Sequence, residues 1–457
     1  MTGRELLDSI NTRKAAELLS SLYGVEGYSP ESVDAARLRY GNLIEGFIQD
    51  FTGEEFPEAA GDLRVFSVPG RTELGGNHTD HNRGKVLAAS IQLDVVAVAA
   101  PRWDMQVFFR SKGHPDVKID LSDLSPVENE KGKADAIVRG IAAELAARKL
   151  PLRGFTANAG NIVLCGSGLS SSAVIEVLIG KIFDSLYGNG KTSAVELAKI
   201  GQKAENEYFG KPCGLMDQIA CAYGGAVAID FEDPDNPQVK GIDFDPASAG
   251  FTLCTVNTKG SHAELTADYA AIPAEMKAAA FFFGKHVLRE LDEAEFFSRL
   301  PDLRSAIGDR AILRAMHFFG ENRRVDAMLA VLEEMALLKA DSVSPDRKAF
   351  AMDKFLALVN ESGDSSWELL QNIYSHKKLS EQGLSLALAL TKNFLGKGRG
   401  SCRVHGGGFA GTIQTYIPTE KLRDYRNLME RIFGIGAVTV LRIRTQGAVE
   451  LTALEFK

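Results

Sequence analysis

Between Asn161 and Phe183 the chain reads NIVLCGSGLSSSAVIEVLIGKIF, three apolar residues running into two glycines and four serines and then into an apolar run at helical spacing. The pattern predicts a strand at Asn161–Leu164, a loop, and a helix over Ser171–Leu186. Glycines let a backbone approach an anion closely, and the following helix offers unpaired N–H groups at the positive end of its dipole. A serine-capped flexible turn is the plain alternative, but the position between strand and helix favours a phosphate-binding loop. Two familiar loops do not match. A P-loop has Gly-x-x-x-x-Gly-Lys-Ser/Thr, and upstream of Gly190-Lys191-Thr192 its first glycine is replaced by Ser185. The dinucleotide pattern Gly-x-Gly-x-x-Gly, started at Gly166 and Gly168, meets Ser171 in place of its third glycine.

Three other stretches concentrate polar groups among glycines. In PGRTELGGNHTDHNRGK, Arg71, His78, Asp80 and His81 crowd a turn where a structural hairpin needs one or two polar groups. The His-x-x-His spacing raises a metal site, yet no further His or Cys cluster follows, and hydrogen bonding to a polyhydroxyl ligand uses these groups better. In AENEYFGKPCGLMDQIACAYGG, Glu205 ends a predicted helix and Asp217 lies in or beside the following turn. In HGGGFAGT the triple glycine permits a tight turn against a ligand or a strand.

Composition sets the bounds. The 457 residues are 45% hydrophobic, enough for two or three packed domains. With 52 basic against 60 acidic residues and a net charge of −8, a broad nucleic-acid or anionic-membrane surface is not expected. Five scattered cysteines without Cys-x-x-Cys spacing suggest neither a disulfide framework nor zinc. The charged start and the interrupted apolar run at Val86–Ala100 predict a cytoplasmic protein without a membrane span. Residues 1–60 read as a helical extension. Short strands and helices follow to about residue 248 in an α+β rather than a regularly alternating order, and a second domain is expected over residues 249–457, helical from Leu265 to about Lys392 and closing in strands.

Together and in this order the four stretches resemble the GHMP kinases, and within them the galactokinase family. GRTELGGNHTDH follows that family's GRxNLIGEHTDY at Gly70, Arg71, Leu74, Gly76, His78, Thr79 and Asp80. The loop from Gly166 to Ala173 follows PxGxGLSSSA with Leu164 in place of proline, AENEYFGKPCGLMDQ follows AExxxxGxPCGIMDQ, and RVHGGGFAG follows RMTGGGFGG. The resemblance covers roughly residues 40–457.

It implies a two-domain fold with an N-terminal ribosomal-protein-like α/β domain, a C-terminal ferredoxin-like α+β domain and the active site in the cleft between them. The implied reaction is ATP-dependent phosphorylation of the C1 hydroxyl of galactose to galactose 1-phosphate, the entry step of the Leloir pathway, by a monomer. Gly166, Ser167, Gly168, Leu169, Ser170, Ser171 and Ser172 would wrap the ATP phosphates, and Ser172 with Glu205 would hold Mg²⁺. Asp217 would be the general base with Arg71 beside it. Asn77, His78, Asp80 and Tyr269 would bind the sugar. The departures lie on the sugar side: Glu73 replaces an asparagine, His81 a tyrosine, and Asn77 an acidic residue that in galactokinases accepts from the C6 hydroxyl. An amide there still bonds a neutral hydroxyl and removes a charge that would repel a C6 carboxylate, so a galacturonate-type kinase is one alternative. A non-catalytic sugar and ATP sensor is another, and retention of Arg71, Ser172, Glu205 and Asp217 argues against it.

Overall fold

The computed structural model describes residues 1–23, 30–51, 61–163, 168–260, 265–337 and 345–452. Its centre is a strand pair that is apolar on both faces. Strand β1 (Arg64–Gly75) is buried at every position after the first, and β2 (Lys85–Pro101) is buried nearly throughout. Such strands must be covered on both sides. Phe66, Val68, Val95, Ala97 and Ala99 face one core, built with the helices that follow the phosphate loop. Val65, Val96, Val98 and Ala100 face the other, against helices α1 (Gly3–Ser9), α2 (Arg13–Tyr23) and α3 (Pro30–Asp50). The N-terminal helices thus cover the second face of the sheet.

Strands β3 (Gln106–Ser111), β4 (Val117–Asp120), β5 (Phe155–Asn161), β6 (Ala226–Asp230) and β7 (Gln238–Ile242) join this sheet. One edge of β2 is shared: Lys85–Ala89 pairs with β6, and Val95–Pro101 pairs with β5. Between them a late segment of the chain enters, with Arg444 N–H donating to Ser90 O at 2.9 Å and Gln92 N–H to Arg442 O at 3.0 Å. The strand expected at Asn161–Leu164 lies earlier, at Phe155–Asn161. Among the described residues a second, four-stranded antiparallel sheet has β8 (Phe251–Asn257), β9 (Ser401–His405), β10 (Thr412–Pro418) and β11 (Val438–Leu441) in the order β11-β8-β10-β9. Strand β12 (Val449–Glu450) returns to the edge of β1.

Helices α4 (Ala134–Ala147), α5 (Ser171–Tyr187), α6 (Ala194–Lys203) and α7 (Met216–Tyr223) pack on the first sheet, followed by α8 (Thr266–Phe282), α9 (Glu293–Ser298), α10 (Leu300–Ile307), α11 (Asp309–Leu337), α12 (Pro345–Ser365), α13 (Gly383–Leu395) and α14 (Leu422–Phe433). The long α11 ties two cores together, since Ile312, Ala315 and Phe318 belong to the cluster around α8 while Val325, Met328 and Leu332 belong to that of the first sheet. Among the described residues no helix is long and apolar enough to cross a membrane.

One buried carboxylate clamps three remote segments. Asp94, wholly buried in β2, accepts from Arg39 of α3 at 2.6 Å, from Tyr23 of α2 at 2.8 Å and from Arg444 at 3.2 Å. Removing the charge leaves two guanidinium groups facing an amide. Asp94→Asn is expected to lower the unfolding free energy by about 3–5 kcal/mol, read by denaturant melts.

Candidate active site

The predicted motifs meet at a cavity of about 260 Å³ whose wall includes Arg71, Glu73, Asn77, His78, Asp80, Ser172, Glu205, Lys211, Asp217, Gly406 and Gly407. Of the expected phosphate loop, Gly166 and Ser167 lie outside the described residues. Gly168 has φ +71°, and a Cβ there would sit 3.1 Å from His405 Nδ1 and 3.2 Å from Thr412 Oγ1, so the backbone passes close beneath β9 and β10. Leu169 is buried, and its carbonyl accepts from Arg71 N–H at 3.4 Å, which pins the loop to β1. Ser170, at φ 63°, precedes α5, and Ser171 and Ser172 open its first turn with the hydroxyl-bearing Ser172 exposed on the cavity wall.

Arg71 and Asp217 form a two-pronged pair, Nε to Oδ1 and Nη2 to Oδ2, each at 2.7 Å. Asp217 stands in the first turn of α7 rather than in a loop. Arg71 Nη1 also donates to the Gly168 carbonyl, and Ser170 Oγ donates to Asp217. Burial pushes the Asp217 carboxyl up, but the Arg71 charge and the hydrogen bonds from Arg71 and Ser170 outweigh it, so it is held below the ordinary carboxylate range. A β-bulge on each side of the Arg71–Glu73 segment aims it at the cavity.

Glu205 lies in a π-helical turn, Ala204–Phe209, that continues α6. It is buried, with Lys211 Nζ on Oε1 at 2.9 Å and Gln218 Nε2 on Oε2 at 3.4 Å. Gln218 also donates to Glu176 at 2.9 Å. Burial, followed by the nearby Glu205 charge, raises Glu176 to about 9, so it carries a proton at neutral pH. Sequence reasoning missed Glu176, Gln218 and Lys211, although Glu176 stands four residues after Ser172 on one helix face. Among the described residues no three His, Cys, Asp or Glu side chains are grouped to hold a metal. Ser172 and Glu205 both line the cavity and offer two hard oxygen ligands, a set that would suit Mg²⁺ completed by phosphate and water.

On the other side of the cavity His78, at φ 59°, donates through Nε2 to the Gly407 carbonyl at 3.0 Å, which leaves Nδ1 as an acceptor without a partner. Burial, with a contribution from His81, lowers its pKa to about 4. Asp80 takes the His81 N–H at 2.9 Å and abuts Gly214, where a Cβ would collide with it at 1.8 Å. The amide of Asn77, expected at the sugar, is spent within the wall. Its Nδ2 donates to both Glu73 oxygens at 3.1 and 3.2 Å and to Gly406 O at 2.9 Å, and its Oδ1 accepts from Asn372 at 2.9 Å. Tyr269 donates to Gly408 O at 3.0 Å and packs edge-on against Phe409, supporting the triple-glycine turn. From behind, His317 of α11 bonds Asn77 O at 2.9 Å and Glu321 accepts from Gly76 N–H at 3.1 Å.

Comparison with known proteins shows what the chain and its fold are similar to. Residues 136–225 match the model of the GHMP kinases N-terminal domain, and residues 47–101 match the galactokinase galactose-binding signature. The crystal structure of Lactococcus lactis galactokinase complexed with galactose superposes with a TM-score of 0.72 at 23% identity, covering 90% of this chain and 100% of that one. The mevalonate kinase of Methanococcus jannaschii gives 0.57 at 15% identity, covering 84% and 99%. The fold is that of the GHMP kinases. A galactokinase of Glaesserella parasuis serovar 5 is 31% identical over 376 residues, covering 81% of this chain and 89% of its own, and one of Actinobacillus pleuropneumoniae is 31% identical over 389, covering 83% and 92%. This chain belongs to the galactokinase family.

Half-buried His78 and the buried His317 and His405 all have pKa values lowered first by desolvation. In the unfolded chain each takes up a proton near pH 6.5, while His78 in the fold resists down to about 4. The unfolded state therefore binds more protons between those limits, and stability must fall as pH drops through them. From pH 7 to pH 5, His78 alone accounts for a loss of about 2 kcal/mol, measurable by urea unfolding at each pH, and His78→Gln should flatten that slope.

Proposed function

We propose that this protein transfers the γ-phosphoryl group of ATP to the C1 hydroxyl of galactose, releasing galactose 1-phosphate and ADP. The observation that carries the reading is the Arg71–Asp217 pair lining the same cavity as Ser172 and Glu205. Asp217, kept ionised by Arg71, accepts the proton of the C1 hydroxyl as that oxygen attacks phosphorus and the bond to the ADP oxygen breaks. Arg71 offsets negative charge on the transferring group. The Gly168–Ser172 segment supplies backbone and hydroxyl donors to the phosphates, and Ser172 with Glu205 would hold Mg²⁺. When bound, that ion neutralises phosphate charge. Lys211 keeps the Glu205 carboxylate in place. On the sugar side, His78 Nδ1 accepts from one ring hydroxyl and Asp80 accepts from others.

Support comes from the galactokinase relatives at 31% identity and from the intact set of charged groups, which a sensor without catalysis does not need. The chemistry asks mainly for positioning and charge neutralisation, and these residues supply both.

A coupled ADP-release assay with Mg·ATP and galactose tests the reading. Asp217→Asn should lower kcat by roughly 10²–10⁴ while galactose binding by calorimetry changes little, and near-normal turnover by this variant would overturn the role. Glu205→Gln should raise the Mg²⁺ concentration needed for half-maximal rate several-fold with the KM for galactose unmoved.

A further inference from the structure

The sugar motif carries a carboxylate where its family pattern has an amide and an amide where the pattern has an acid, and the fold brings these two side chains together. Both Glu73 oxygens accept from Asn77 Nδ2, at 3.1 and 3.2 Å. Glu73 is buried on the cavity wall and is paired with Arg403, itself fully buried in β9. Glu73 stands two residues beyond Arg71 on β1, on the same face and about 6.6 Å along the strand. That spacing is close to the breadth of a hexose ring with its substituents. With the reacting hydroxyl at Asp217, which Arg71 holds, a sugar lying along β1 would bring its opposite end to Glu73.

Resting on the galactose kinase reading above, we propose that Glu73 is the specificity residue of this site, supplying the negative charge that selects a neutral hydroxymethyl group over a carboxylate at the far end of the sugar. Asn77 cannot set that preference by its own charge, and its amide hydrogens are already committed to Glu73 and Gly406 O. The charges at that end sum against an anion. Arg403 is matched by Glu73, His78 is neutral, and Asp80 adds a further negative group. Among the described residues, a second carboxylate would meet Glu73 and Asp80 with Arg71, Lys211 and Arg403 each already paired to a carboxylate, whereas a hydroxymethyl group can donate to the Glu73 carboxylate. The charge that the sequence pattern suggests is lost at position 77 is thus kept, moved four residues along the chain. The specificity that follows is opposite to the one suggested by Asn77 alone, since galacturonate is excluded.

The test is calorimetric titration of the full-length protein and its variants with galactose and with galacturonate, with thermal melts recorded alongside. The unmodified protein should bind galactose at least tenfold more tightly than galacturonate. Glu73→Gln leaves Arg403 unmatched and should shift that ratio by tenfold or more towards galacturonate. Exchanging the pair, Glu73→Asn with Asn77→Glu, returns the carboxylate and should restore the preference for galactose; this variant keeps the charge count and tests the idea even if Glu73→Gln does not fold. An unchanged ratio in Glu73→Gln, an exchanged pair that fails to restore it, or no preference in the unmodified protein overturns the proposal. Turnover with Mg·ATP is read separately, so selective binding without turnover would refute the kinase reading and leave the role of Glu73 standing.

Discussion

The guanidinium of Arg71 is the joint on which the site depends. One side chain from the central strand reaches Asp217 at the start of α7 through two hydrogen bonds and the Gly168 carbonyl through a third, while its own backbone N–H holds Leu169. Strand β1, the glycine-serine loop before α5 and the start of α7 are far apart in sequence and are brought together at one planar cation. Arg suits this place because its donors lie in a fixed fork that matches a carboxylate and still leaves one for a carbonyl. A lysine would provide the charge without the geometry.

Around that joint the protein holds several carboxyl groups in different states through their neighbours. Asp217 is drawn down by Arg71 and Ser170, and Glu321 is lowered to about 2 because His317, Arg324 and Arg403 overcome its burial. Glu176 goes the other way, to about 9, since burial and the adjacent Glu205 favour its neutral form. Each group is fixed by partners on a different element, so the charge pattern of the cavity is a property of the assembled fold. The sugar side is built in the same manner, with Asn77 gripped from α11, from Asn372 and from the triple-glycine turn.

Much of this was legible in the sequence, and the reasons differ by feature. The helix after Ser171 and the strands around Val86–Ala99 were visible because apolar spacing records burial directly. Arg71, Asp217, Glu205 and Ser172 were found by motif order, which local periodicity could never supply. The strand before the phosphate loop was placed too late, because Ile162 and Val163 are apolar but follow the last paired residue, Asn161. The sequence places Asp217 in or beside a turn, and α7, which begins at Met216, holds it in its first turn. The pairings of Glu73 with Arg403 and of Asn77 with Asn372 were not legible, for they join positions about three hundred residues apart. A departure from a motif shows which residue has changed, and only the fold shows where its charge has gone.

The segment around Arg442–Glu450 enters the first sheet between β5 and β6 and along the edge of β1, long after those strands in the chain. On the ribosome, the strands that carry Arg71 and the phosphate loop emerge with a gap in β2's hydrogen bonding and with Asp94 lacking Arg444. The nascent first half can therefore gather its helices on the sheet but cannot close it, and the final locking of the active-site sheet waits for the second sheet to be made. The contacts that fill the first sheet thus come from one of the last segments to be made, so order of synthesis and order of completion run in opposite senses.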